Sequence, residues 1–161
     1  MGYIHDVNLE RINAHFQAAP NTYKTIKLND KLLKELIKQP TRFFKNDLES
    51  DYIDWGLDLS AFANFEEAYH CLVLDLAELN IKAINYVLPE ANNIRNIYIS
   101  GGFSKNEIFV RCIADKFKDK KVYTSEFDNS SALGAALVVY NEVWKDLQPS
   151  IDLGLKECIH T

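Results

Sequence analysis

Two adjacent glycines, Gly101 and Gly102, follow the β-branched run 94–100 and precede the amphipathic stretch 104–117, in a chain that holds six glycines in all. Such a pair can serve chemistry directly. Without Cβ atoms the backbone reaches positive φ, and a flat or phosphorylated ligand can come within contact distance. A helix N-terminus just beyond it offers free N–H groups and partial positive charge to an anion. In parallel α/β units ligands settle at this place, past the carboxyl ends of the strands. A tight strand-to-helix turn with no ligand explains the pair equally well. Neither the dinucleotide spacing GxGxxG nor the phosphate-loop spacing GxxxxGK occurs.

Other reactive side chains form no pattern. His5, His15, His70 and His160 show no HxH or HExxH spacing and are expected on polar or terminal surfaces, so no metal site is assigned. Cys71, Cys112 and Cys158 are odd in number, far apart and without a CxxC spacing. They read as reduced thiols in structural positions. No residue stands out as a catalytic base, Asp115 and Asp128 included.

The elements that must position the glycine pair are legible in the second half of the chain. Residues 64–88 read as one long helix, with Asn64 as N-cap, Glu67 completing a capping box and Pro89 as the stop. At 100° per residue, Glu67, His70, Asp75, Glu78, Lys82 and Asn85 fall within an arc of roughly 140°, and nearly all else is apolar. That predicts a central helix with one polar stripe, and a core hydrogen bond for Asn80 on the opposite side. Then come a short strand ending at the glycines, a helix opened by a Ser104–Glu107 capping box, a strand near 120–126, and a helix over 129–144 capped by Asn129 or Ser130. Strand, helix, strand, helix implies two parallel strands in an α/β unit.

The first half is less regular. A helix is expected over 6–16, with Asp6 as N-cap and Val7, Leu9, Ile12 and Phe16 on one face, and another over 30–39 between Asn29 and Pro40. Both read as short surface helices. Residues 40–64 have no period but carry Phe43, Phe44, Tyr52, Trp55 and Phe62, as a segment packed over a core or a neighbouring domain would. One domain, 1–161, is expected: a helical and irregular segment 1–63, a helix-strand-helix-strand-helix core 64–145 and a tail 146–161.

Composition narrows the partners. With 161 residues, 47% hydrophobic, the chain has the means to bury a core. A net charge of -5 gives no long-range attraction for a phosphate backbone, so neither nucleic acid nor a membrane surface is expected as partner. No apolar stretch approaches the length of a membrane span and no export signal is evident at the N-terminus, which makes the cytoplasm the expected location.

The run "YISGGFSKNEIFVRCIADKFKDKKVYTSEFDNSSALGAALVVY", with the helix before it, resembles the C-terminal ATPase domain of the FGGY carbohydrate kinases over roughly Phe65 to Tyr140. The shared pattern is a strand, Gly-Gly, a Ser, Arg-or-Lys, Asn step, a helix ending near Ala-Asp, a strand followed by Glu, and Ala-Leu-Gly-Ala-Ala. Among FGGY members it looks nearest to the rhamnulokinase-like or fuculokinase-like type. The resemblance implies an actin-like, ribonuclease-H-like α/β fold, here truncated to few strands and several helices. It implies ATP with Mg2+ as cofactor, bound through an adenosine motif: Gly101 and Gly102 near sugar and phosphate, Phe103 and Asn106 bordering the adenine. Ala132, Gly134, Ala135 and Ala136 would let the last helix pack close behind the pocket. Phe103 is bulkier than the small residue common at that position, Arg111 stands where Gln is frequent, and Asn129 replaces a frequent Glu.

In these kinases the base, one phosphate loop and most sugar contacts belong to an N-terminal domain, and a second phosphate loop lies on a glycine hairpin. The remaining glycines here, Gly2, Gly56, Gly134 and Gly154, stand in no such context. The expectation is therefore an adenosine-binding part of a sugar kinase, inactive without its N-terminal partner domain, and pairing with a second copy through an open sheet edge or through its aromatic segment. The alternative is a nonenzymatic interaction or assembly module on the same fold.

Overall fold

Helix α3 (Phe65–Val87) is the element on which the others are arranged. Its start follows from the sequence: the Asn64 side chain accepts from the Glu67 N–H at 2.9 Å, and the Glu67 carboxylate reaches back to the Ala63 N–H at 2.7 Å. Every residue from Ala68 to Ala77 is buried. The computed structural model describes residues 1–44, 52–88, 93–125, 130–143 and 152–158; Pro89, Asp128, Asn129 and His160 lie outside them.

Three helices pack on α3. Helix α1 (Gly2–Phe16) begins earlier than expected, after Met1 and without a side-chain cap. Asp6 is therefore not its N-cap; the carboxylate instead bonds the His5 ring at 2.8 Å, inside the helix. Burial of His5, Asn8, Leu9 and Ile12 against the core extends the helix by a turn that the periodicity of 7–16 did not show. Helix α2 (Asp30–Lys38) matches its expected bounds, because Asn29 accepts from the Leu32 N–H at 3.1 Å and Pro40 follows. Its Leu33 and Leu36 are buried, so the helix presents one face to the core rather than lying loose on the surface. Helix α4 (Glu107–Lys116) covers α3 from the other side with Ile108, Phe109 and Ile113.

The sheet has three strands in the order β1-β2-β3. β1 (Asn96–Ile99) and β2 (Lys121–Thr124) are parallel, as the strand-helix-strand order predicts, with Ile97 opposite Val122 and Tyr98 opposite Tyr123. β3 (Lys156–Cys158) runs antiparallel on the far side of β2. Sequence reasoning placed these residues in a tail, since three residues of mixed polarity carry no usable period. Helix α5 (Ser130–Val143) corrects another expectation: Ala132, Gly134, Ala135 and Ala136 are exposed, and a Cβ at Gly134 would meet nothing within 4 Å. Among the described residues, no element covers that small-residue side.

The aromatic segment closes the core. Phe43 and Phe62 are buried and stack with centroids 6.1 Å apart, while Trp55 stays outside under the Arg11 guanidinium at 5.3 Å. Residues 45–51 within that segment are outside the described ones. Cys71, Cys112 and Cys158 are free thiols, and burial pushes Cys71 and Cys112 up to about 12.

The polar stripe of α3 is solvated only in part: Lys82 and Asn85 are exposed, but its first half is covered. His70 and Asp75 are buried, because α2 and residues 41–44 cover that side. His70 and His5 therefore stand in the interior rather than on the surface, whereas His15 is exposed. His70 donates from Nδ1 to the Glu66 carbonyl at 2.8 Å and accepts the Asn29 N–H at Nε2, 3.2 Å away. Burial holds its pKa below the ordinary histidine range, which keeps the acceptor nitrogen free. Asn80, on the opposite side, is half-buried.

Asp75 accepts the N–H groups of Phe43 and Phe44, the latter at 3.0 Å, and so pins the aromatic segment to α3. Its other oxygen is buried without a hydrogen bond, with the Arg42 guanidinium 3.8 Å away. Burial raises its pKa to about 6, against the two N–H groups that pull it down. A raised carboxylate pKa means that the folded state holds the proton more tightly than the unfolded one. This group therefore costs stability as pH rises from about 4 through 6, on the order of 3 kcal/mol in total. His70 acts in the opposite sense, so the Asp75 contribution is isolated by comparison with Asp75→Asn. The variant should gain on the parent protein by roughly 2–3 kcal/mol between pH 4 and 7 in urea unfolding. A difference that does not change with pH would contradict this.

Candidate functional site

The glycine pair sits where β1 ends. Gly101 has φ +78°, a conformation that side chains rarely adopt, and Gly102 opens a 3-10 turn over Gly102–Lys105. Ser104 closes the turn: its N–H bonds the Gly101 carbonyl at 3.0 Å and its hydroxyl donates to the same oxygen at 2.7 Å. A second, longer contact of the hydroxyl reaches the Ser125 carbonyl at 3.4 Å, beyond the end of β2.

Ser104 is therefore not the cap of α4, and the expected Ser104–Glu107 capping box does not form. Asn106 is the cap, its Oδ1 accepting from the N–H groups of Ile108 and Phe109, both at 3.1 Å. The Glu107 carboxylate turns to the N-terminal segment, accepting the Leu28 N–H at 3.3 Å and lying 3.6 Å from the Lys27 ammonium. A hydroxyl committed to the glycine turn cannot also cap, and the next polar side chain in line takes the role.

Beside the turn lies a cavity of about 570 Å³. Gly102, Phe103 and Asn106 line it; Gly101 is not on its wall but sets the turn that presents them. A Cβ built on Gly102 would meet no protein atom within 4 Å, so the space beside this glycine is open. The rest of the wall was not foreseen. His5, Asp6, Tyr23, Lys24 and Lys27 come from the first 27 residues, and Tyr69 from α3. No local pattern joins them, because α1, the 22–27 segment and α3 meet only through tertiary packing.

The floor is aromatic and polar at once. The His5 ring lies edge-on to Tyr23, Tyr69 and Phe103, with centroids 5.4, 5.9 and 5.8 Å away. The Tyr69 hydroxyl is 3.4 Å from His5 Nε2 and accepts from the Asn106 amide at 2.9 Å. Burial holds the Tyr69 phenol above its ordinary pKa, while the Asn106 bond pulls it down. Lys24, Lys27 and Lys105 give the wall positive charge, partly offset by Asp6 and by the Glu107 carboxylate 3.6 Å from Lys27. Aromatic surface below and ammonium groups alongside suit a planar ligand that carries anionic charge.

The sequence model for the FGGY family of carbohydrate kinases, C-terminal domain, matches residues 57–140, just over half of the chain. The chain belongs to this family. No curated protein and no solved structure matches it. FGGY membership brings an actin-like ATPase architecture, and the five helices and three strands described here are an α/β arrangement consistent with part of it. The matched stretch holds α3, β1, the glycine turn, α4 and β2, whereas the cavity wall from residues 2–27 lies outside it. The match speaks for the family as a whole and does not single out a rhamnulokinase or fuculokinase type. Among the described residues, no three His, Cys, Asp or Glu side chains are placed to hold a metal ion, and no helix is long and apolar enough to cross a membrane.

Asn106→Ala removes the α4 cap and should cost about 1–2 kcal/mol of unfolding free energy in urea. A midpoint equal to that of the parent protein would show that α4 does not depend on this side chain.

Proposed function

We propose that this FGGY chain forms the adenosine-side wall of an ATP-dependent sugar kinase, with the nucleotide held in the cavity beside Gly102. The observation that carries this reading is the wall itself. A glycine with open space at its Cβ position shares one cavity wall with the rings of Tyr23, Tyr69 and Phe103 and with three lysines. In this reading Phe103 and Tyr23 flank the base, and Gly102 lets ribose or phosphate approach the backbone. Asn106 borders the adenine from the edge while its oxygen stays on the α4 cap.

Phosphoryl transfer to a sugar hydroxyl requires a base, a metal held by carboxylates and donors for the terminal phosphates. This reading assigns those groups, the sugar contacts and the Mg2+ ligands to an N-terminal kinase domain rather than to the cavity described here. The 161-residue chain then binds adenine nucleotide but transfers no phosphoryl group, and works in the cytoplasm where ATP is available. Rhamnulose, fuculose and xylulose are the first sugars to offer the complete kinase, given the motif resemblance.

Titration calorimetry with ADP should show saturable binding, weakened at least tenfold by Gly102→Val, whose branched side chain fills the open space. Gly102 does not have positive φ, so the variant should keep the parent's urea midpoint. Unchanged affinity in a folded Gly102→Val protein, or no binding by the parent protein, would contradict the assignment.

A further inference from the structure

The polar groups of the cavity floor form one chain whose hydrogen positions can be worked out. Asn106 Oδ1 is fixed as an acceptor by the two N–H groups at the start of α4, so its Nδ2 must donate to the Tyr69 oxygen. The Tyr69 proton then has to point elsewhere, and the acceptor within reach is His5 Nε2 at 3.4 Å. His5 Nδ1 lies 2.8 Å from the Asp6 carboxylate and must itself carry a proton. With a neutral His5 the network thus takes the Nδ1–H form, with the Tyr69 hydroxyl directed at Nε2.

A second arrangement satisfies the same atoms. If His5 gains a proton on Nε2, that N–H donates to the Tyr69 oxygen, which has lone pairs for both His5 and Asn106. The Tyr69 proton is then released toward the cavity, where it can be given to a ligand. Asp6 is there to compensate the imidazolium. The other charged or titratable groups on this cavity wall are Tyr23, Lys24, Lys27, Lys105 and Glu107. The long 3.4 Å contact marks the joint at which the chain can be reversed.

We propose that Tyr69 and His5 are the recognition pair of this cavity. Tyr69 donates its hydroxyl proton to a hydrogen-bond acceptor of the bound nucleoside, and His5 takes up a proton to make that donor available. Ligand binding is then coupled to proton uptake, the bound state carrying one more proton than the free one once His5 has been neutral beforehand. The inference rests on the nucleotide reading of the cavity and adds residues to it. His5 lies outside the stretch matched by the family, whereas Tyr69 lies within it.

Calorimetry with ADP at pH 8, in buffers of different ionisation enthalpy, reads the coupling directly. The parent protein should show a buffer-dependent heat equivalent to uptake of a fraction of one proton. His5→Gln should bind ADP with buffer-independent heats, and Tyr69→Phe should lose about tenfold in affinity together with the proton coupling. Binding with the same apparent heat in every buffer would overturn the inference while leaving the nucleotide site standing. Absence of binding in all buffers would instead overturn the nucleotide reading, and the inference with it. The tautomer supplies a check that needs no ligand. Nitrogen-15 imidazole spectra of the free protein at pH 8 should report the Nδ1–H form for His5; finding the Nε2–H form would overturn the inference whatever ADP does.

Discussion

The arrangement depends most on one side chain. Asn106 holds the first N–H groups of α4 with its oxygen and the Tyr69 hydroxyl of α3 with its amide. Both bonds are needed at once, and they fix the rotation of the glycine turn against the central helix. Tyr69 passes the constraint to His5 and so to α1. A cavity wall made from elements far apart in sequence is thereby tied to one polar line through an otherwise apolar contact. Each member of such a line has to be satisfied, since an unpaired polar group in the interior costs more than the bond contributes.

Asp75 and His70 do elsewhere on α3 what Asn106 does near the cavity. Each takes backbone N–H groups from a neighbouring segment that has no regular partner: Phe43 and Phe44 for the carboxylate, Asn29 for the imidazole. The central helix is therefore positioned by apolar contacts and oriented by polar ones. Only the second kind specifies which loop lies where, because burial of a leucine is indifferent to direction.

The sequence was most readable where local chemistry decides. Asn64 and Asn29 cap the helices that they appear to cap, and the apolar runs around Ile97 and Val122 pair in parallel as their order requires. It misled where tertiary packing recruits a residue. His5 and His70 look like surface residues because nothing within a turn of them reveals that Tyr23, Phe103 or Asn29 will arrive from elsewhere. Ser104 and Glu107 fit a capping box by spacing, yet the hydroxyl is claimed by the turn that Gly101 makes. Of the cavity wall, Gly102, Phe103 and Asn106 could be named from the motif, while His5, Tyr23, Tyr69 and the lysines had no signal. β3 was too short and too polar to register.

The account stands on the claim that an adenine nucleotide occupies the cavity beside Gly102. Backbone amide spectra of nitrogen-15-labelled protein during an ADP titration test that most directly. Saturable shifts centred on Gly102, Phe103, Tyr69 and Lys24 are the predicted result. Spectra unchanged at millimolar ADP, or shifts confined to the groove of Leu33, Ile37, Ile81 and Cys112 on the other side of α4, would contradict it.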